Sequence, residues 1–159
     1  MSALVQSTIA ANELATLLIP ISGKQLVLPN VTVAEIIPYS EPQLEDDEGP
    51  DWYLGEFSWR NINVPLLSFE KINGQTVNSQ STNRRIAVLN GVVDEEILPF
   101  CAIVTQGVPR LMRITPDEIS NHAEAEKGPA EVSAVLIGGE PAVIPNVDFI
   151  QQQMLKIIA

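Results

Sequence analysis

Residues that could perform acid–base, nucleophilic or metal chemistry are sparse in this chain of 159 residues. His122 is the single histidine and Cys101 the single cysteine. A catalytic histidine needs a nucleophile and an orienting carboxylate, and a zinc site usually needs several histidine or cysteine ligands. The glycine-rich loops that cradle nucleotide phosphates are also missing. We therefore predict no catalytic residue, no metal site and no cofactor, and we interpret His122 as an exposed loop residue.

The densest carboxylates lie in the segment 40–51, which reads SEPQLEDDEGPD. Their order does not match a calcium-binding loop, which places oxygen ligands at alternate positions with glycine at the sixth. We interpret the segment as a solvated loop that its like charges keep extended. The alternative is a small acidic hydrolase or a ligand-binding β-barrel that uses carboxylates near residues 41–51. It predicts an enclosed pocket in which carboxylates of displaced pKa converge.

Composition excludes some classes of partner and indicates the compartment in which the protein acts. The net charge of −11 argues against nucleic acid, because that binding depends on cations that neutralise phosphates. It also disfavours anionic membrane surfaces. No apolar run reaches the 18 or so residues of a membrane span, and no cation precedes Lys24, as a signal peptide would require. With one cysteine, no intramolecular disulfide can form. We expect a soluble cytoplasmic protein without membrane insertion.

The stretch 55–69, GEFSWRNINVPLLSF, places Arg60 at the tip of a turn between two apolar strands, the second of which contains Pro65. Glu35 lies on a strand edge in the segment 33–37 and has the opposite charge. The two could be surface charges that pair weakly, worth under about 1 kcal/mol. They could also frame a groove for a partner helix that lies across Val33. The nearby aromatic residues fit either a core or an interface: Trp52, Phe57 and Trp59.

Short apolar segments broken by proline and glycine predict a mainly β protein built as barrels or a sandwich. The turns Ser22-Gly23 and Gly138-Gly139 predict hairpins. A capped short helix is expected over 115–121, and a second helix over 147–158 with Asn146 as its cap. The predicted strands are 14–19, 25–28, 31–37, 64–69, 84–89, 98–105, 108–114, 131–137 and 140–144.

The polar segment 75–83 predicts a linker between two groups of strands of similar size. Two small barrels packed together would bury more apolar surface than either barrel alone. We therefore predict a flexible tail over 1–12 and one domain over 14–158. Within it, we expect subdomains over 14–74 and 84–147, followed by the helix.

The order of these motifs resembles the CheW family of bacterial chemosensory scaffold proteins. That family carries V-x-E-I, then a proline-bearing loop, then G-x-x-x-L-R-G-x-x-[VI]-P-[VIL]-[VIL]-[DS]-L. This chain has VAEI at 33–36 and GEFSWRNINVPLLSF at 55–69, and the resemblance extends over about 14–157. Three residues depart from the pattern: Trp59 replaces a smaller aliphatic residue, Asn61 a glycine, and Ser68 the commoner aspartate.

The resemblance implies two five-stranded SH3-like β-barrels without enzymatic activity. It implies an adaptor that couples a methyl-accepting chemoreceptor to a CheA-type histidine kinase. The receptor-binding residues that it implies are Val33, Glu35, Gly55 and Arg60, while the kinase would contact edges and loops of the first barrel. The segments 18–30 and 51–55 further resemble ChpC-type accessory adaptors, whose chemosensory system controls type IV pili and twitching motility.

Overall fold

The computed structural model describes residues 13–45, 49–77 and 82–158, which form two sheets and two helices. The first sheet contains β1 (Leu14–Ile21), β2 (Lys24–Pro29), β8 (Arg110–Ile114), β9 (Ile119–Asn121), β10 (Glu131–Ile137) and β11 (Glu140–Pro145). The second contains β3 (Val33–Pro38), β4 (Tyr53–Trp59), β5 (Ile62–Leu67), β6 (Arg85–Asn90) and β7 (Phe100–Thr105). The helices are α1 (Phe69–Ile72) and α2 (Val147–Ile158). The predicted mainly β fold with a C-terminal helix is confirmed, and the fold also contains one short helix, which lies elsewhere than predicted.

The six-stranded sheet has the order β8-β1-β2-β11-β10-β9, and the five-stranded sheet has the order β3-β6-β7-β5-β4. The sheets do not divide the chain at residues 75–83. Strands β1 and β2 precede that segment but pair with later strands, while β6 and β7 follow it and pair with β3 and β5. Each sheet therefore draws strands from both sides of the segment, and the subdomain boundaries at 14–74 and 84–147 stay a prediction.

The first hairpin is confirmed, and its apolar runs are explained by burial on both faces. In β1, Leu18 packs into a cluster with Val27, whereas Ile19 and Ile21 pack into the central cluster that also contains Leu26. A strand that is apolar on both faces reads as a continuous apolar run instead of an alternating one. The hairpin thus separates two parts of the hydrophobic core.

Helix α2 begins and ends where the sequence predicted, and it packs in the central cluster. The Asn146 side chain accepts a hydrogen bond from the Phe149 N–H at 3.0 Å, which confirms the predicted cap. Ile150 and Met154 are buried beside residues of both sheets. Gln151 attaches the helix to the end of β6, because its Nε2 donates a hydrogen bond to the Asn90 carbonyl at 2.9 Å. The middle of the apolar stripe is therefore core, while Ile157 and Ile158 at the end of the helix stay half-buried.

A buried carboxylate joins β10 to β2 and to the residue that follows α1. Glu131 accepts hydrogen bonds from Lys24 Nζ, from Asn73 Nδ2 at 2.6 Å and from the Gly128 N–H at 3.0 Å. Burial alone would raise the pKa of Glu131, but these hydrogen bonds and the charge of Lys24 lower it below the ordinary value. Glu131 is therefore a charged group held inside the fold.

Two predicted elements differ from the structure because local capping overrides the expected pattern. Strand β5 ends at Leu67, and Ser68 caps the unpredicted helix α1 by accepting a hydrogen bond from the Lys71 N–H at 3.3 Å. Glu118 does bond back to the Thr115 N–H at 2.9 Å as predicted. The expected helix over 115–121, however, is one 3-10 turn (Pro116–Glu118) followed by β9, which pairs with β10.

Within the three described ranges, no helix is long and apolar enough to cross a membrane.

Candidate functional site

The Arg60 turn joins β4 to β5 with the shortest loop that a hairpin allows. Trp59 pairs with Ile62, so Arg60 and Asn61 are the two loop residues. Both have left-handed backbones, with φ of 49° and 64°, and two positive φ values in a two-residue loop define a type I′ turn. Asparagine tolerates this conformation, whereas for arginine it costs about 1 kcal/mol or more. The loop therefore stores strain at the residue that carries the charge.

Two contacts hold the Arg60 guanidinium in place. Arg60 Nη2 lies 3.1 Å from Glu35 Oε1, and Arg60 Cζ lies 4.6 Å from the centre of the Trp59 ring. The Arg60 side chain remains 66% exposed and that of Glu35 40% exposed. At this exposure the ion pair contributes under about 1 kcal/mol to stability, and the ring contact contributes a similar amount. The contacts orient the cation and leave it accessible to a partner.

Glu35 also accepts a hydrogen bond from Trp59 Nε1 at 2.8 Å. Trp59 is buried, and its ring packs edge-on against Phe100 with ring centres 4.8 Å apart. Strands β3 and β4 are the two edges of the five-stranded sheet, so this hydrogen bond links one edge to the other. The charged pair at the surface is therefore attached to a rigid, buried aromatic residue.

The other two predicted site residues have structural surroundings of their own. Val33 is half-buried, packs against the central cluster, and is separated from Glu35 by a β-bulge. Gly55 is buried with φ of 117°, and a Cβ atom there would lie 2.3 Å from the Gln43 carbonyl oxygen. Glycine at this position allows Gln43 to pair with β4. Among the four predicted residues, the structure joins Glu35 and Arg60 directly.

The aromatic residues around the turn are mainly core. Phe57 and Trp59 are buried in the cluster of the five-stranded sheet, and Trp52 is half-buried against the central cluster. The hydrogen bond from Trp59 to Glu35 was not predicted. A signal was present, because a tryptophan that is expected to be buried needs an acceptor for its indole N–H.

The acidic segment forms one wall of a groove of about 660 Å³ over the β4–β5 hairpin. Asp46, Asp47 and Glu48 lie outside the described residues. Across the described part of the chain, no group of three or more histidine, cysteine, aspartate or glutamate residues could hold a metal ion. The pKa of Tyr53 beside the groove is raised by burial, and further by the charges of Glu56 and Glu45.

His122 lies in the loop after β9 and is half-buried, not exposed as the sequence predicted. Its backbone N–H donates to the Ala134 carbonyl at 2.9 Å, which draws the residue against β10. Together with Lys24 and Val143 it lines a second cavity, of about 580 Å³.

Two comparisons with known proteins, one of sequence and one of structure, point to the same family. The sequence profile of the CheW-like domain matches residues 15–153. The chain belongs to the CheW family. Fourteen chains of solved structures match this CheW-like protein. One of them is the scaffolding protein TtCheW from Thermoanaerobacter tengcongensis, which is 13% identical, with 83% of each chain covered and a TM-score of 0.69. A search of curated proteins found no match.

Each departure from the CheW pattern has a local role in this CheW-like protein. Asn61 takes the left-handed conformation that the turn requires. Ser68 caps helix α1. Trp59 is buried under Arg60 and donates to Glu35. The exposed arginine is therefore present in spite of the three departures, and Trp59 supports it directly.

Proposed function

We propose that this CheW-like protein is a non-enzymatic scaffold of chemosensory signalling that couples a methyl-accepting chemoreceptor to a CheA-type histidine kinase. Membership of the CheW family supports the scaffold role. The observation that carries the receptor contact is the Arg60 side chain, which is strained in its turn, oriented by Glu35 and Trp59, and still mostly exposed. Residues held in costly conformations at a surface are typical of binding sites.

In this proposal the receptor-binding surface consists of Val33, Glu35, Gly55 and Arg60. Arg60 and Glu35 supply charged groups that can contact a receptor helix. Such groups set the orientation and specificity of binding more than its affinity. Val33 adds apolar surface on the same strand as Glu35. Gly55 acts indirectly, since it lets Gln43 pack against β4 and so fixes the strand that carries the turn.

We further propose that the protein acts in the cytoplasm and that its signalling system controls twitching motility through type IV pili. The support for this subtype is the resemblance of residues 18–30 and 51–55 to ChpC-type adaptors. It predicts that deletion of the gene reduces twitching zones on agar while the number of assembled pili stays unchanged. Normal twitching in the deletion strain would remove the pilus subtype and leave the scaffold role untouched.

A pull-down with an Arg60→Glu variant tests the proposed function. The immobilised protein is incubated with soluble and membrane fractions of its own cell, and captured proteins are identified by mass spectrometry. Wild type should recover a histidine kinase and a chemoreceptor, whereas Arg60→Glu should lose the receptor. Arg113→Glu is the matched control, because Arg113 is an exposed arginine of β8 in the other sheet. Recovery of neither partner by wild type would contradict the proposal.

A further inference from the structure

A continuous groove runs along the outward face of the β4–β5 hairpin. It consists of two adjoining cavities of about 660 Å³ and about 270 Å³. Glu56 and Asn63 line both of them. The acidic segment 40–45 borders one end, and the loop before β7 borders the other. A groove of this length is suited to a peptide segment more than to a compact small molecule.

The groove and the Arg60 support lie on different faces of the same strand. Along β4, Phe57 and Trp59 are buried while Glu56 and Ser58 are exposed, as expected from side chains that alternate across a strand. Ser58 pairs with Asn63 on the neighbouring strand, so these outward side chains form the floor. Phe57 also lines the groove, and so does Phe100, whose ring packs against Trp59. Among the described residues that line it, Glu35, Trp59 and Arg60 do not occur.

Apolar side chains line the walls without being covered. Leu44 is 43% exposed and Ile97 is 51% exposed, and Ile157 and Ile158 at the end of α2 are half-buried. Exposed aliphatic residues that line one concave surface, with polar residues between them, are typical of protein-docking sites. They provide apolar contacts on both sides of a polar floor.

The charge of the groove is negative. Glu41, Glu45 and Glu56 line it, and none of the lining residues within the described ranges is lysine or arginine. Glu45 and Glu56 form no ion pair with any residue that the structure describes. Their charges also act on Tyr53, whose pKa is raised by burial and then by Glu56 and Glu45. A cation in the groove would thus meet unneutralised carboxylates.

We propose that this groove docks a segment of a partner protein in which lysine or arginine residues stand beside apolar side chains. Basic residues would pair with Glu45 and Glu56, and apolar residues would pack against Leu44, Ile97 and the end of α2. A second copy of this chain fits poorly, because two molecules with a net charge of −11 repel each other. The proposal is independent of receptor binding at Arg60.

A synthetic peptide of alternating lysine and leucine tests the proposal by titration calorimetry at about 0.15 M salt, where long-range attraction is screened. A second peptide carries serine in place of every leucine. The variants are Glu45→Lys/Glu56→Lys, the exposed control Glu124→Lys/Glu126→Lys, which changes the net charge by the same amount, and Arg60→Glu. Glu124 and Glu126 lie outside the groove, in the loop that follows β9. Circular dichroism confirms that each variant folds.

Wild type should bind the lysine–leucine peptide, and Glu45→Lys/Glu56→Lys should bind it about tenfold or more weakly, since it loses two charge pairs. Glu124→Lys/Glu126→Lys and Arg60→Glu should stay within about twofold of wild type, and the serine peptide should bind more weakly than the leucine peptide. Equal weakening by Glu45→Lys/Glu56→Lys and by Glu124→Lys/Glu126→Lys would overturn the proposal in favour of general attraction to an acidic protein. The proposal would also be overturned if wild type bound no peptide, or if the serine peptide bound as well as the leucine peptide. It would likewise be overturned if Arg60→Glu lost as much affinity as Glu45→Lys/Glu56→Lys.

Discussion

Trp59 Nε1 lies 2.8 Å from Glu35 Oε1, and this hydrogen bond joins the two edge strands of the five-stranded sheet. The same carboxylate oxygen lies 3.1 Å from Arg60 Nη2. One buried and one exposed donor therefore share an acceptor. Because the buried donor fixes Glu35, the position of the exposed cation depends on the hydrogen bond that links the two edge strands.

Trp59→Phe removes the indole N–H while keeping an aromatic ring in the cluster. We expect the free energy of unfolding to fall by about 1–3 kcal/mol, as for a lost hydrogen bond to a charged group together with some packing. Urea unfolding monitored by circular dichroism measures this loss. Trp52→Phe is the control, since Trp52 is half-buried, and it should cost less. An equal loss in the two variants would show that the hydrogen bond from Trp59 to Glu35 adds nothing to the stability of the protein.

Gly55→Ala should destabilise the protein by about 2–3 kcal/mol. The φ of 117° is unfavourable for alanine, and its Cβ would lie 2.3 Å from the Gln43 carbonyl oxygen. Gly49→Ala is the matched control, because no other atom lies within 4 Å of a Cβ built there. Thermal unfolding should show a lower Tm for Gly55→Ala and little change for Gly49→Ala. A wild-type Tm in Gly55→Ala would refute the close approach at Gln43.

Much of the fold could be predicted because its signals are local. Gly138-Gly139 sets a turn of two positive-φ residues between β10 and β11, and the apolar spacing of α2 includes Ile150 and Met154, which are buried in the structure. Where two local signals compete, the prediction was wrong. The Thr115 cap favoured a helix, but Ile119 is β-branched and pairs with Ile137.

The candidate site could be predicted only in part, because its contacts join residues far apart in the chain. Glu35 and Arg60 were recognised as opposite charges 25 positions apart, but a sequence does not show that Trp59 is their shared support. The strain at Arg60 was missed as well. The family pattern has glycine only at the position of Asn61, whereas a two-residue I′ turn requires a left-handed residue at both positions.

Glu131 makes the stability of the folded protein depend on pH. Its pKa is lowered in the folded protein: burial opposes this, but the hydrogen bonds from Lys24, Gly128 and Asn73 outweigh burial. A lowered folded pKa stabilises the protein above the unfolded pKa, and this stability is lost as the pH falls through the folded value, below the ordinary 4.5. Glu131→Gln should therefore lose stability at pH 7, by about 1–3 kcal/mol, and approach wild type near pH 3. A gap between the two proteins that stays constant in urea unfolding from pH 7 to pH 3 would contradict this prediction.

Cys101 should not react with thiol reagents in the folded protein. Burial raises its pKa to about 12, although a hydrogen bond with Gln151 acts in the opposite direction. At pH 8 the thiol is thus protonated as well as inaccessible. Ellman's reagent should label the protein in 6 M guanidinium within seconds, and in buffer only at the rate of unfolding. Rapid labelling in buffer would show that α2 does not cover this part of the core.

Co-sedimentation most directly tests the proposal that one molecule binds a receptor through the Arg60 surface and a kinase at the same time. Membranes bearing the chemoreceptor are centrifuged with purified CheA-type kinase and increasing amounts of this protein. The amount of kinase in the pellet should rise with the amount of wild-type protein or of Arg113→Glu that is added. With Arg60→Glu, the kinase should stay in solution. Kinase that pellets equally without the protein, or equally with Arg60→Glu, would contradict the claim.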